Sequence, residues 1–111
     1  MRFSRAQRIG RGADIRRIQQ EGKVVRTRHV SMRACASPLG FPRVGIIVPR
    51  HGQSAVDRNR LKRRLREIIR QDVLPADRGL DIIVRAAPGA YAVPFAELRT
   101  EVTGLVRRLI G

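Results

Sequence analysis

The chain has 111 residues, a length that suits one domain, 1–111, around one core. Twenty-four Lys and Arg against nine Asp and Glu leave a net charge of +15, a self-repulsion that a polyanionic partner relieves. Arginine supplies nearly all of it, with Lys only at Lys23 and Lys62; guanidinium groups fork onto phosphates and stack on bases, which favours nucleic acid over a membrane surface. A single cysteine, Cys35, excludes an internal disulfide and a cysteine-based zinc site. No run approaches the ~20 apolar residues of a membrane span, and a cytoplasmic protein is expected.

In chain order, residues 1–7 are expected to be flexible, and Asp14, Ile15, Ile18 and Gly22 then predict a short first helix with Arg16 and Arg17 on its outward face. From Lys23 to Ser37, Val30, Met32, Ala34 and Ala36 alternate with Ser31, Arg33 and Cys35, the pattern of one half-buried strand. The turn cluster Pro38-Leu-Gly-Phe-Pro42 leads to a more buried strand over residues 43–48, expected to lie antiparallel beside the first. Leu80-Asp-Ile-Ile-Val84 reads as a further buried strand, and Phe95, Leu98, Val102, Leu105, Val106 and Leu109 form the stripe of a closing amphipathic helix after Pro94.

Between them lies the segment Asp57-Arg-Asn-Arg-Leu-Lys-Arg-Arg-Leu-Arg-Glu-Ile-Ile-Arg70, with seven basic residues in fourteen positions. At about 100° per residue, Leu61, Leu65, Ile68 and Ile69 share one sector while Lys62, Arg63, Arg66 and Arg70 lie opposite. Asp57 is the expected N-cap, and Asn59 is read either as a hydrogen-bond donor to RNA or as a cap of the first turn. A solvated helix normally mixes signs, because like charges four residues apart destabilise it by a few tenths of a kcal/mol. The near-uniform sign here therefore points to a phosphate-bearing partner.

The stretch Arg58-Asn-Arg-Leu-Lys-Arg-Arg-Leu-Arg-Glu67 resembles the RNR signature helix of the bacterial ribonuclease P protein family. Asp14-Ile-Arg-Arg-Ile18 with Gly22, Arg43-Val-Gly45, Ala55-Val56, Gly79-Leu-Asp-Ile-Ile-Val84, Arg85 to Gly89 and Phe95-Ala-Glu-Leu98 follow in the family's order, so that the resemblance spans roughly residues 8 to 109. It implies an α+β fold: a two-layer sandwich of three helices and a central, mostly antiparallel mixed sheet. A left-handed β-α-β crossover, similar to that of a ribosomal protein domain 2-like fold, goes with it.

The resemblance further implies that the protein is the accessory subunit of the ribonuclease P holoenzyme, monomeric in a 1:1 ribonucleoprotein. The RNA subunit then cuts the 5′ leader from precursor tRNA with Mg²⁺ bound mainly by RNA. Carried over as contacts to the RNA subunit are Arg50, Arg58, Asn59, Arg60, Lys62, Arg63 and Arg66. The cleft for the precursor-tRNA leader takes in Ile15, Gln19 and Arg33, where relatives often have aromatic residues. In the loop before the signature, His51 replaces a common lysine and Gly52-Gln-Ser-Ala-Val56 replaces Gly-Asn-Ala-Val.

The residues assemble no catalytic triad, and no catalytic or metal-ligating residue is expected. The scattered Asp72, Asp77, Asp81, Glu97 and Glu101 are expected mainly to pair with arginines. Two other readings stay open: a ribosomal or other structured-RNA-binding protein of similar fold, and a stand-alone ribonuclease using His29 or His51 as acid and base.

Overall fold

The computed structural model describes residues 7–10, 12–50 and 52–110; His51 and residues 1–6 of the N-terminal segment lie outside the described residues. The elements are α1 (Gly12–Glu21), β1 (Lys23–Arg26), β2 (Val30–Ala36), β3 (Arg43–Ile47), α2 (Ala55–Ile68), a π-helical turn (Ile69–Val73), β4 (Leu80–Ala86), a 3-10 turn (Pro88–Ala92) and α3 (Phe95–Ile110). They form an α+β fold of three α-helices on a four-stranded mixed sheet of order β1-β2-β4-β3. β1 and β2, and β2 and β4, run antiparallel, while β3 and β4 run parallel. A β3-α2-β4 crossover joins that parallel pair.

β4 lies between β2 and β3; its core face, Leu80, Ile82, Val84 and Ala86, is wholly apolar, while its other face alternates Asp81, Ile83 and Arg85. Ile82 and Val84 point into the main core, where Met32, Ala34 and Val44 from the neighbouring strands meet Leu61, Leu65 and Ile68 of α2 and Leu98, Val102 and Leu105 of α3. Ile83 points the other way, into a small cluster with Ile9 and the fully buried Ile18 of α1. Among the described residues, the reverse face of the sheet thus carries α1 and the Ile9 stretch before it. Among the described residues no helix is long and apolar enough to cross a membrane.

Three sequence expectations change. Residues 23–37 form a hairpin of two strands rather than one, because a turn at Thr27-Arg28-His29 is closed by the Thr27 N–H donating to the Val30 carbonyl at 2.8 Å. The turn lacks Gly, Pro or Asn; its stabiliser is Glu101 of α3, whose carboxylate accepts from the Thr27 hydroxyl (2.6 Å) and the His29 backbone N–H (3.0 Å). β2 and β3 are not neighbours, since β4 inserts between them. Arg17 does not face outward: it reaches down to Asp81 at 2.5 Å and to the Cys35 sulfur at 2.9 Å. The start of the described chain is also pinned, Arg8 bridging to Val44 and the Ile9 N–H donating to the Val44 carbonyl.

Candidate RNA interface

Helix α2 begins three residues earlier than its acidic residue suggests. Ser54, not Asp57, is the N-cap: its hydroxyl accepts from the Asp57 N–H at 3.1 Å. Asp57 instead sits in the first turn, where a negative charge suits the positive end of the helix dipole, and Asn59 is exposed and caps nothing. Leu61, Leu65 and Ile68 are buried, each worth about 1.5–3 kcal/mol of transfer free energy. The π-helical turn that follows keeps Ile69 and Val73 in the same core. This packed stripe sets the rotation of the helix and so the direction of its charged side.

On that side Asn59, Arg60, Arg63 and Arg66 are exposed and Arg58, Lys62 and Arg64 half-buried. Among the described residues none of these six cations is paired with a carboxylate. Arg70 departs from the expected row, because Glu67 ties it back along the helix and also accepts from Gln71 at 2.7 Å. The Arg70 hydrogen bond holds the Glu67 carboxyl below the usual carboxylate range. Arg50 is exposed just past β3. Arg66 and Lys62 line a cavity of about 140 Å³ with Arg8, Ile9 and the Val44–Ile46 stretch.

The expected leader residues lie on the opposite face of the sheet. Strand register builds two rows there: Val24, Arg33, Ile83 and Gly45 in one, Arg26, Ser31, Arg85 and Ile47 in the next. With Gln19 of α1, the first three of each row line a cleft of about 220 Å³. Gln19 and Arg33 meet directly, the Arg33 guanidinium donating to the Gln19 carbonyl at 2.9 Å. Ile15 does not line this cleft but packs against the Ile9, Ile18 and Ile83 cluster. Arg26, Ser31 and Arg85 were missed by sequence reasoning. Alternation within each strand was a partial signal, but only the pairing register aligns the rows.

The acidic residues are largely engaged. Asp72 pairs with Arg99 at 2.8 Å, Asp81 with Arg17 and Arg43, and Asp77 accepts from the Gly79 and Leu80 N–H groups at 3.0 and 2.6 Å. Burial pushes the Asp77 carboxyl above its ordinary pKa against those two hydrogen bonds. His29 Nδ1 lies 2.7 Å from Glu101, and with Glu97 these two place potential metal-ligand atoms within 4.8 Å of one another. Glu101 is already shared between Thr27 and His29, so its role in this structure is to clamp the hairpin turn onto α3.

Comparison with known proteins agrees with this architecture. The ribonuclease P family model matches residues 3–110. The ribonuclease P protein component of Acidothermus cellulolyticus is 38% identical over 106 residues, covering 92% of this chain and 87% of that protein. Its counterpart from Syntrophobacter fumaroxidans is 33% identical, covering 94% and 88%. Among solved structures, the RNase P protein of Thermotoga maritima superposes with a TM-score of 0.82 at 29% identity, covering 94% of this chain and 98% of that one. A Staphylococcus aureus RNase P protein mutant with defective mRNA degradation activity gives 0.86 at 28% identity, covering 94% and 88%. With the basic helix, the mixed sheet and a match over nearly its whole length, the chain belongs to the ribonuclease P protein family.

Proposed function

We propose that the protein grips the ribonuclease P RNA with the charged side of α2 and holds the 5′ leader of precursor tRNA in the cleft between α1 and the sheet. Leader removal is carried out by the RNA subunit, with Mg²⁺ bound mainly by RNA, in a 1:1 cytoplasmic ribonucleoprotein. The observation that carries the first part is the run of cations from Arg58 to Arg66, none with a carboxylate partner among the described residues, on a helix whose opposite side is locked in the core. Unpaired guanidinium groups repel one another, and RNA phosphates replace that repulsion with charge-assisted hydrogen bonds. Arg50, Arg58, Asn59, Arg60, Lys62, Arg63 and Arg66 are the contacts in this reading.

The cleft suits a single strand of backbone. Arg26, Arg33 and Arg85 offer cations around the small aliphatic floor of Val24 and Ile83, and among the described residues the lining holds no aromatic side chain. Arg33 can lie flat on a base through its guanidinium plane, so stacking there is by arginine. The protein thereby reduces phosphate repulsion between two RNAs and lowers the metal concentration their assembly needs.

The test combines purified protein, precursor tRNA and ribonuclease P RNA at low Mg²⁺. Leader removal is expected only when all three are present; cleavage by the protein alone returns the stand-alone ribonuclease reading. Arg63→Ala with Arg66→Ala should weaken assembly roughly tenfold or more, the scale of charge-assisted hydrogen bonds, without lowering the melting temperature. Normal assembly by that variant would remove α2 from the RNA contact.

A further inference from the structure

The largest of the cavities described lies on the other flank of α2. It measures about 310 Å³ and is lined by Gln53, Asp57, Arg60, Leu61, Arg64, Tyr91 and Ala92. That volume is at the lower end of small-ligand pockets, roughly 300–1,000 Å³. Arg60 is among the proposed RNA contacts, and the inference rests on that reading of α2; Arg64, Tyr91, Gln53 and Asp57 are not, and nothing in the sequence pattern or the family resemblance joins them into a pocket.

Its chemistry is specific. Arg60 and Arg64 stand one turn apart on the same side of α2, and among the described residues neither has a carboxylate partner, although Asp57 is only three residues from Arg60. Like charges at this spacing are a small cost to the helix, and a phosphate bound between them turns that cost into two charge-assisted hydrogen bonds. Across from them, Tyr91 of the 3-10 turn donates its hydroxyl to the Pro49 carbonyl at 2.6 Å. With the hydroxyl committed, Tyr91 gives the cavity its ring, held in one place. Among the described residues, neither of the other two cavities has an aromatic wall.

The geometry points to a pocket for one unpaired nucleotide of an RNA, its phosphate between Arg60 and Arg64 and its base against Tyr91. Asp57, the only acid among the described residues of the lining, repels phosphate and accepts N–H donors, so the base edge lies at its end. A carboxylate accepts two donors side by side. Guanine is the base that presents two adjacent donors, N1–H and N2–H, on its pairing edge, and the nucleotide selected is guanosine. Leu61, 2% exposed, forms the apolar floor.

The probe is an RNA hairpin with one bulged guanosine, titrated against the full chain beside a fully paired hairpin and one with a bulged uridine. The bulged guanosine is expected to bind roughly tenfold tighter than the paired hairpin, within the range of base–aromatic stacking. It should also bind roughly tenfold tighter than the bulged uridine, which stacks but offers Asp57 a single donor, the scale of one hydrogen bond to a charged group. Arg64→Ala and Tyr91→Leu should each erase the gain over the paired hairpin, Asp57→Asn should erase the gain over the bulged uridine, and Tyr91→Phe should keep both. Thermal melts identify any variant that fails to fold, and Arg64→Ala removes only a half-buried surface charge. Equal binding of the three hairpins, or a gain over the paired hairpin that survives Arg64→Ala, overturns the pocket.

Discussion

Arg43 on β3 and Asp81 on β4 sit opposite each other in the parallel register and are joined by two hydrogen bonds, from Nε at 2.9 Å and from Nη2 at 2.6 Å. Asp81 has no exposed surface. It also receives Arg17 from α1, and Arg43 reaches on to Asp14 of the same helix at 3.4 Å. Hydrogen bonding to Asp81 raises the pKa of Arg43 above its ordinary value, so it stays charged. One buried carboxylate thus ties the first helix to the sheet and fixes one wall of the cleft.

Removing one member of a buried ion pair leaves the other uncompensated, at a cost of about 3–5 kcal/mol. Asp81→Asn is expected to destabilise the protein by that order and to loosen α1 first. Urea unfolding gives the magnitude, and amide hydrogen exchange along residues 12–21 gives the location. A loss below about 1 kcal/mol would mean that apolar packing of Ile18, not the ion network, holds the helix.

Glu101 makes stability depend on acid. Burial raises its pKa, but the hydrogen bonds from the Thr27 hydroxyl and from the His29 ring and backbone outweigh this and hold it below the usual value. A carboxyl whose folded pKa is depressed contributes stability above its unfolded pKa of about 4.3 and loses that contribution as pH falls through the folded value. Unfolding midpoints should therefore drop as pH falls below that range. Glu101→Gln should be less stable at pH 7 by about 1–2 kcal/mol and show a shallower acid limb; parallel limbs in the two proteins would exclude this role.

Ser54→Ala removes the cap of α2. The expected loss is about 1 kcal/mol, with fraying confined to the first turn, where Arg58 sits. Stability and RNA affinity should fall together, and Ser54→Asp, which restores the acceptor, should recover both. Denaturant titration and RNA binding on the same preparations check it.

Gly22 is required by space rather than by an unusual backbone angle. A Cβ there would lie 2.4 Å from the Ile18 carbonyl oxygen and 2.7 Å from Cγ of Arg33. Gly22→Ala is expected to cost about 1–3 kcal/mol by overpacking and to displace Arg33 from Gln19. Melting curves measure the first effect. Crosslinking of a single-stranded RNA to the cleft, weakened beyond what the stability loss explains, measures the second.

The stripe of α2, the stripe of α3, the apolar run of β4 and the order of elements were legible from residue spacing. Each depends on a periodicity that local backbone geometry sets and on one burial direction. The charged side of α2 was legible for the same reason, since placing Leu61, Leu65 and Ile68 in a core leaves Arg63 and Arg66 outside. Arg70 was not, because the Glu67 partner that withdraws it is a matter of side-chain conformation.

What spacing cannot encode is which distant segments meet. The hairpin turn at Thr27–His29 carries no turn residue because Glu101, over seventy positions later, supplies its hydrogen bonds. The insertion of β4 between β2 and β3, the inward swing of Arg17 to Asp81, the two cleft rows and the ring of Tyr91 opposite Arg64 all arise the same way. The residue types, their charge and their local periodicity determined the elements and the cationic side that α2 presents. Chain closure around a shared core, which brings together groups far apart in sequence, decided the strand order and the shape of each cavity.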